Sequence, residues 1–62
     1  MTDLPPIGNP ARTALAVVGV RDLEALTAWT ERDVRALHGV GLKAVRLLRE
    51  ALAQHGSSFA DE

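Results

Sequence analysis

The chain has 62 residues and no cysteine, so it forms one small domain at most, and neither disulfides nor thiolate metal sites can stabilise it. The formal net charge of −1 argues against a strongly basic nucleic-acid-binding module, so any such binding has to come from a local basic patch. No apolar run is long enough to span a membrane and no basic-then-apolar leader opens the sequence, so we expect a cytoplasmic protein.

Residues 1–9 are predicted to form an extended lead-in, because Pro5 and Pro6 hold the chain extended, while Leu4 and Ile7 can dock on the core. Asn9 followed by Pro10 predicts a helix start, with Asn9 as the N-cap. We expect this helix to run from Pro10 to Val18 and to end at Gly19. The apolar residues spaced to share one face are Ala11, Ala14, Leu15 and Val18.

Two short helices are predicted next. Asp22 can cap a helix from Leu23 to about Ala28, and Thr30 with Asp33 resembles a capping box for a helix from Glu31 to His38. Trp29, the only tryptophan, is expected to anchor the core. The other residues expected to be buried here are Val20, Leu23, Leu26, Val34 and Leu37.

The residues His38-Gly39-Val40-Gly41, here called the glycine turn, separate the third helix from the fourth. We expect Gly41 to adopt a positive φ, so that Gly41→Val would destabilise the fold. The fourth helix is predicted from Leu42 to about His55, stopped by Gly56. Its buried stripe is Ala44, Val45, Leu48, Ala51 and Leu52. Residues 57–62 are expected to form a flexible tail, from which Phe59 can fold back onto the core.

A pattern of apolar residues similar to that around the glycine turn occurs earlier in the chain. When Gly19 is placed over Gly41, Leu15 matches Leu37 and Val18 matches Val40. The apolar residues that follow also match, Leu23 with Val45 and Leu26 with Leu48. This favours two helical hairpins sharing one core, and no stretch shows the alternation of a strand. We therefore predict an all-α domain of four to five helices over residues 10–56.

The glycine turn also has the chemistry of an anion site. A helix start offers unpaired N–H groups and a partial positive charge, and Lys43 lies in the first turn of the fourth helix. These groups together suit a phosphate. The alternative is that the glycines only make a tight connection between helices, and the local spacing does not decide between the two interpretations.

Residues 37–44, with Val45 and Leu48 behind them, resemble the helix-hairpin-helix motif, whose pattern is apolar–x–Gly–apolar–Gly followed by a helix. The wider pattern, from Pro6 to Gly56, is similar to the C-terminal domain of the bacterial RNA polymerase alpha subunit. The resemblance implies a SAM-domain-like arrangement with two helix-hairpin-helix-like units. It also implies that Gly41 and Lys43 contact DNA.

The resemblance is incomplete in the first helix. The family uses an arginine and an asparagine there to enter the minor groove, and these positions hold Pro10 and Thr13 in this chain. Arg12 lies close enough in sequence to replace the missing arginine. The family's serine after the lysine is Ala44, and a later acidic residue is Leu47.

Two functional hypotheses follow. In the first, the chain binds double-stranded DNA weakly and without sequence specificity, with no cofactor or metal. The residues predicted to contact the backbone are Gly39, Val40, Gly41 and Leu42 through N–H groups, and Lys43, Arg46 and Arg12 through charge. In the second, the same fold binds another protein through an outward face around Leu47. An enzyme acting on a small molecule is not expected, because His38 and His55 have no carboxylate pair or nucleophile placed near them by spacing.

Overall fold

The computed structural model describes residues 3–61, which form four α-helices. These are α1 (Asn9–Val17), α2 (Leu23–Leu26), α3 (Glu31–Arg35) and α4 (Leu42–Gln54). The described residues contain no strand, so the all-α prediction is confirmed at the level of four helices. The Cα radius of gyration is 10.0 Å, close to the value of about 11 Å expected for a compact chain of this length.

The core is built around α4, which packs against both α2 and α3. Leu48 and Leu52 of α4 are fully buried, as are Leu15 of α1, Leu26 of α2 and Val34 of α3. In α1, α2 and α4 the buried residues lie three or four positions apart, so these helices place an apolar stripe inward, whereas α3 buries Val34 alone. Trp29, expected to anchor the core, is half-buried and packs at the edge of this cluster.

Helix α1 begins one residue earlier than predicted. Its N-cap is Gly8, with φ 91°, and not Asn9. The Gly8 carbonyl accepts the first helical hydrogen bond, from the Arg12 N–H at 3.0 Å, so Asn9 is already inside the helix. The predicted end at Gly19 is confirmed by its φ of 83°. Val18 is the C-cap and is exposed, not buried, because its backbone has already left the helical conformation.

The caps predicted for the two short helices are present. The Asp22 carboxylate accepts a hydrogen bond from the Ala25 N–H at 2.9 Å, and the Thr30 hydroxyl accepts one from the Asp33 N–H at 3.0 Å. Both helices are shorter than expected: α2 ends at Leu26 and α3 ends at Arg35. Helix α4 matches its prediction closely, and Gly56, with φ 70°, follows its C-cap His55.

Both ends of the described chain dock on the core. Leu4 is buried and Ile7 half-buried, and Asp3 forms an isolated antiparallel bridge with Asp22. At the other end, Phe59 is among the largest fully buried side chains. The predicted return of Phe59 to the core is therefore confirmed, and the expectation of a loose tail is wrong at this residue. Met1, Thr2 and Glu62, which belong to the predicted lead-in and tail, lie outside the described residues.

Two turns of the chain share a glycine–valine pair, but the glycines that correspond are not the ones predicted, and the backbone hydrogen bonds differ. The Val20 N–H donates to the Leu15 carbonyl, five residues back, and the Val40 N–H donates to the Leu37 carbonyl, three residues back. Gly19 and Gly39 both have positive φ, and each is followed by a buried valine, Val20 and Val40. The N-cap of the next helix comes three residues after Gly19 but two residues after Gly39. Gly41, with φ −96°, is therefore not the counterpart of Gly19.

Candidate nucleic-acid interface

Gly39 fixes the glycine turn against the start of α1. Its φ is +96°, a conformation that side chains rarely adopt. A Cβ atom at this position would lie 2.9 Å from the carbonyl oxygen of Pro10, which is backbone and cannot swing away. Glycine is therefore required at position 39 for two reasons: the turn needs a positive φ there, and the backbone of α1 leaves no room for a Cβ atom.

Gly41 has a different role from the one predicted. Its φ of −96° and ψ of 176° are extended values open to any residue, and a Cβ added there would meet nothing within 4 Å. The expected positive φ at Gly41 is therefore wrong, and with it the expected strain of Gly41→Val. The residue is the N-cap of α4 and supplies no side chain to cap the helix.

The predicted donors are partly available. The Val40 N–H already donates to the Leu37 carbonyl at 3.2 Å, and the Val40 side chain is buried in the core. Val40 is therefore a core residue and not a free donor, which corrects the prediction. Within residues 3–61, the N–H groups of Gly39, Gly41, Leu42 and Lys43 have no hydrogen-bond acceptor.

The four helix starts fall into two classes. The two short helices have side-chain caps, Asp22 and Thr30, and acidic residues in their first turns. The two long helices, α1 and α4, have glycine N-caps without side-chain hydrogen bonds, and no acidic residue in the first turn. Because a helix start carries a partial positive charge, only α1 and α4 present it without a compensating side chain.

The starts of α1 and α4 also lie next to each other. Gly39 contacts the backbone of Pro10 in the first turn of α1. Gly41 is two residues further along the chain, so its Cα lies at most about 8 Å from that of Gly39. The glycine turn therefore contacts one uncompensated helix start, that of α1, and leads into the other, that of α4.

The charge of the chain is unevenly distributed around this point. Residues 34–49 contain four of the seven lysine and arginine residues and none of the eight carboxylates, so this segment carries +4 and the rest of the chain −5. Arg49 forms an ion pair with Glu31. Arg35, Lys43 and Arg46 are exposed and have no ion-pair partner in the described part of the chain.

Arg12 does not belong to this group. It lines a cleft of about 210 Å³ on the other flank of α1, together with Asp3 and Arg21. Pro10, which contacts the glycine turn, is two residues from Arg12, and residues two apart do not face the same side of a helix. The expectation that Arg12 adds to the basic patch at the glycine turn is therefore not supported.

The apolar residues on the surface also differ from the expected ones. Leu47, predicted to be exposed, is half-buried. The large apolar side chains that are exposed are Val17 at 80%, Leu42 at 70% and Val18 at 37%. Val17 could have been noticed in the sequence as an apolar residue outside the stripe formed by Ala11 and Leu15.

An open groove, here called the α1 groove, lies between α1 and the glycine turn, with a volume of about 570 Å³. One wall comes from α1 and includes Pro10, Ala14 and Val17, and the other comes from residues 37–39. No Asp, Glu, Lys or Arg lines it. His38 is exposed at its edge.

The described residues contain no group of three His, Asp or Glu side chains placed to hold a metal ion. No helix among them has the length and apolar character needed to cross a membrane.

Comparison of the chain with protein-family models, curated proteins and solved structures finds no match.

Proposed function

We propose that this chain is a small, non-enzymatic module that binds the sugar-phosphate backbone of double-stranded DNA weakly and without sequence specificity. The N–H groups of Gly39, Gly41 and Leu42 donate to one phosphate, and Lys43 and Arg46 add positive charge. Contacts of this kind hold a protein on a duplex but read no bases. The expected dissociation constant lies in the non-specific range, about 10⁻⁴ to 10⁻⁶ M at physiological salt.

The observation that carries this proposal is the pair of uncompensated helix starts beside exposed basic residues. Free N–H groups and the positive end of a helix favour anions, and the flanking segment contains no carboxylate to repel them. The proposal also includes the finer fold, two helix-hairpin-helix-like units sharing one core. Its support is that a positive-φ glycine followed by a buried valine precedes a helix at two places, Gly19 and Gly39.

The first test is an NMR titration of the labelled protein with two short duplexes of unrelated sequence. We expect amide shift changes confined to residues 39–46 and the start of α1, with equal affinity for both duplexes. Lys43→Gln should weaken binding by about tenfold, since an ionic hydrogen bond contributes roughly 1.5 kcal/mol. Arg21→Gln is the matched control, because it removes the same charge from the other flank of α1 and should leave the affinity within about twofold.

The second test separates stability from binding at a single residue. Gly41→Asp places a carboxylate at the N-cap of α4, so it should raise the free energy of unfolding by about 1 kcal/mol. The same carboxylate occupies the free N–H groups and repels phosphate, so DNA binding should be lost. A Gly41→Asp protein that keeps its DNA affinity would exclude these N–H groups from the interface.

A further inference from the structure

The α1 groove is a second surface that DNA backbone binding does not use. Its walls are mainly apolar, although Asn9, Thr13 and His38 also line it, and Val17 is 80% exposed there. The volume of about 570 Å³ falls within the range of about 300 to 1,000 Å³ found for ligand pockets. A polyanionic backbone gains nothing from apolar walls, so the groove suits an occupant with large apolar side chains.

The length of the groove is compatible with a short helical segment. The groove follows α1 from Asn9 to Val17, which is about 12 Å at 1.5 Å per residue. Two turns of a partner helix have the same length. Two apolar side chains four residues apart on such a helix would both enter the groove.

The charges beside the groove define the partner further. The wall formed by residues 37–39 lies inside the acid-free segment 34–49. Arg35 and Lys43 are exposed and without ion-pair partners in the described chain, and their Cα atoms lie within about 8 and 15 Å of that wall. Asp33, which is also exposed, lies within the same roughly 15 Å, so residues 33–43 carry a net charge of +1. Carboxylates flanking the apolar side chains of a partner would therefore be attracted to this side of the molecule.

A second copy of this chain fits the groove poorly. A two-fold interface brings the same patch of both copies together. The basic segments beside the two grooves would then face each other, and like charges across an interface are unfavourable.

We propose that the α1 groove binds a short amphipathic helix of another protein, one that carries two leucine-like side chains four residues apart with carboxylates beside them. Binding of this helix does not depend on DNA binding, so evidence against one of the two interactions is not evidence against the other. Where both occur, they compete, because the partner's carboxylates and the DNA phosphates are drawn to the same Lys43.

The test uses the full chain and a synthetic peptide of about twelve residues, long enough for three helical turns, with two leucines four apart and glutamates beside them. One control peptide has lysine in place of each glutamate, and another has serine in place of each leucine. We expect amide shift changes at residues 13–18 and 37–39 with the first peptide, affinity at least about tenfold lower with the lysine peptide, and no binding of the serine peptide.

Two variants of the protein complete the test. Val17→Glu places a carboxylate in the groove and, because Val17 is 80% exposed, keeps the fold. It should lower affinity for the glutamate peptide by about tenfold or more. Gln54→Glu makes the same charge change at the far end of α4 and should leave affinity within about twofold.

Three results would overturn the proposal. Equal affinity for the glutamate and lysine peptides would make the groove a site for neutral apolar ligands. Binding that is unaffected by Val17→Glu would place the peptide elsewhere. Groove shifts that change on dilution of the free protein would show that a second copy covers the groove.

Discussion

Two glycines separated by a single valine have unlike environments. Gly39 has a positive φ and touches the Pro10 carbonyl, whereas Gly41 has an ordinary extended conformation and open space around it. The first is fixed by the packing of α1 on the turn. A side chain at Gly41 would meet no steric obstacle. In the proposed function, the lack of a side chain at Gly41 leaves the N–H groups at the start of α4 available to bind phosphate.

Gly39→Ala should therefore destabilise the protein strongly. A non-glycine residue at positive φ costs about 1 to 2 kcal/mol, and the contact with Pro10 adds a displacement of backbone, so we expect a loss of at least about 2 kcal/mol. Chemical denaturation followed by helical circular dichroism measures it. Gly41→Ala is the matched control and should change stability by less than about 0.5 kcal/mol, because its N-cap cost and its reduced unfolded-state entropy nearly cancel. Equal losses in both variants would contradict the assigned roles.

At the scale of elements, the C-terminal segment is hydrogen-bonded to the connection between α2 and α3 and to the start of α3. The Ala60 N–H donates to the Trp29 carbonyl at 2.8 Å, and the Asp61 carboxylate accepts a hydrogen bond from the Glu31 N–H at 3.1 Å. With Phe59 fully buried, these contacts attach the segment after α4 to the start of α3. Helices of four and five residues are too short to form in isolation, so they depend on such packing.

Phe59→Ala should accordingly unfold much of the protein at room temperature. Truncation of a buried phenylalanine costs about 3 to 5 kcal/mol, and a domain of this size has a total stability of roughly 3 to 9 kcal/mol. Thermal unfolding should show a much lower midpoint for Phe59→Ala. The midpoint should be unchanged for Ser58→Ala, because the Ser58 side chain is exposed. A midpoint for Phe59→Ala close to that of the unmodified chain would mean that the segment is not part of the folding unit.

At the scale of the whole molecule, the sequence predicts the core better than the surface. Helical spacing identifies Val45, Leu48 and Leu52 as buried, because burial along one helix depends only on its period. It does not distinguish Gly39 from Gly41, since the difference arises from the contact with α1, 29 residues earlier than Gly39. The side on which Arg12 lies likewise depends on how α1 is seated on the core, which its own period does not specify.

The uneven charge of the whole molecule leads to a quantitative prediction for DNA binding. If all seven cationic residues met phosphates, log K would fall with log salt concentration at a slope of about −6. In the proposed interface, ionic contacts are limited to Lys43 and Arg46, which gives a slope of about −2. The acidic remainder of the chain repels DNA from the other faces, so low affinity and a shallow slope should occur together.

Fluorescence anisotropy of a labelled duplex over a series of salt concentrations measures this slope. Lys43→Gln should make the slope shallower by about one unit, because one phosphate contact is lost, and Arg21→Gln should leave it unchanged. A slope near zero in the unmodified protein would mean that its contacts with DNA are not ionic. A slope near −6 would mean that several faces of the protein bind the duplex. The glycine turn would then not be the main DNA-binding site.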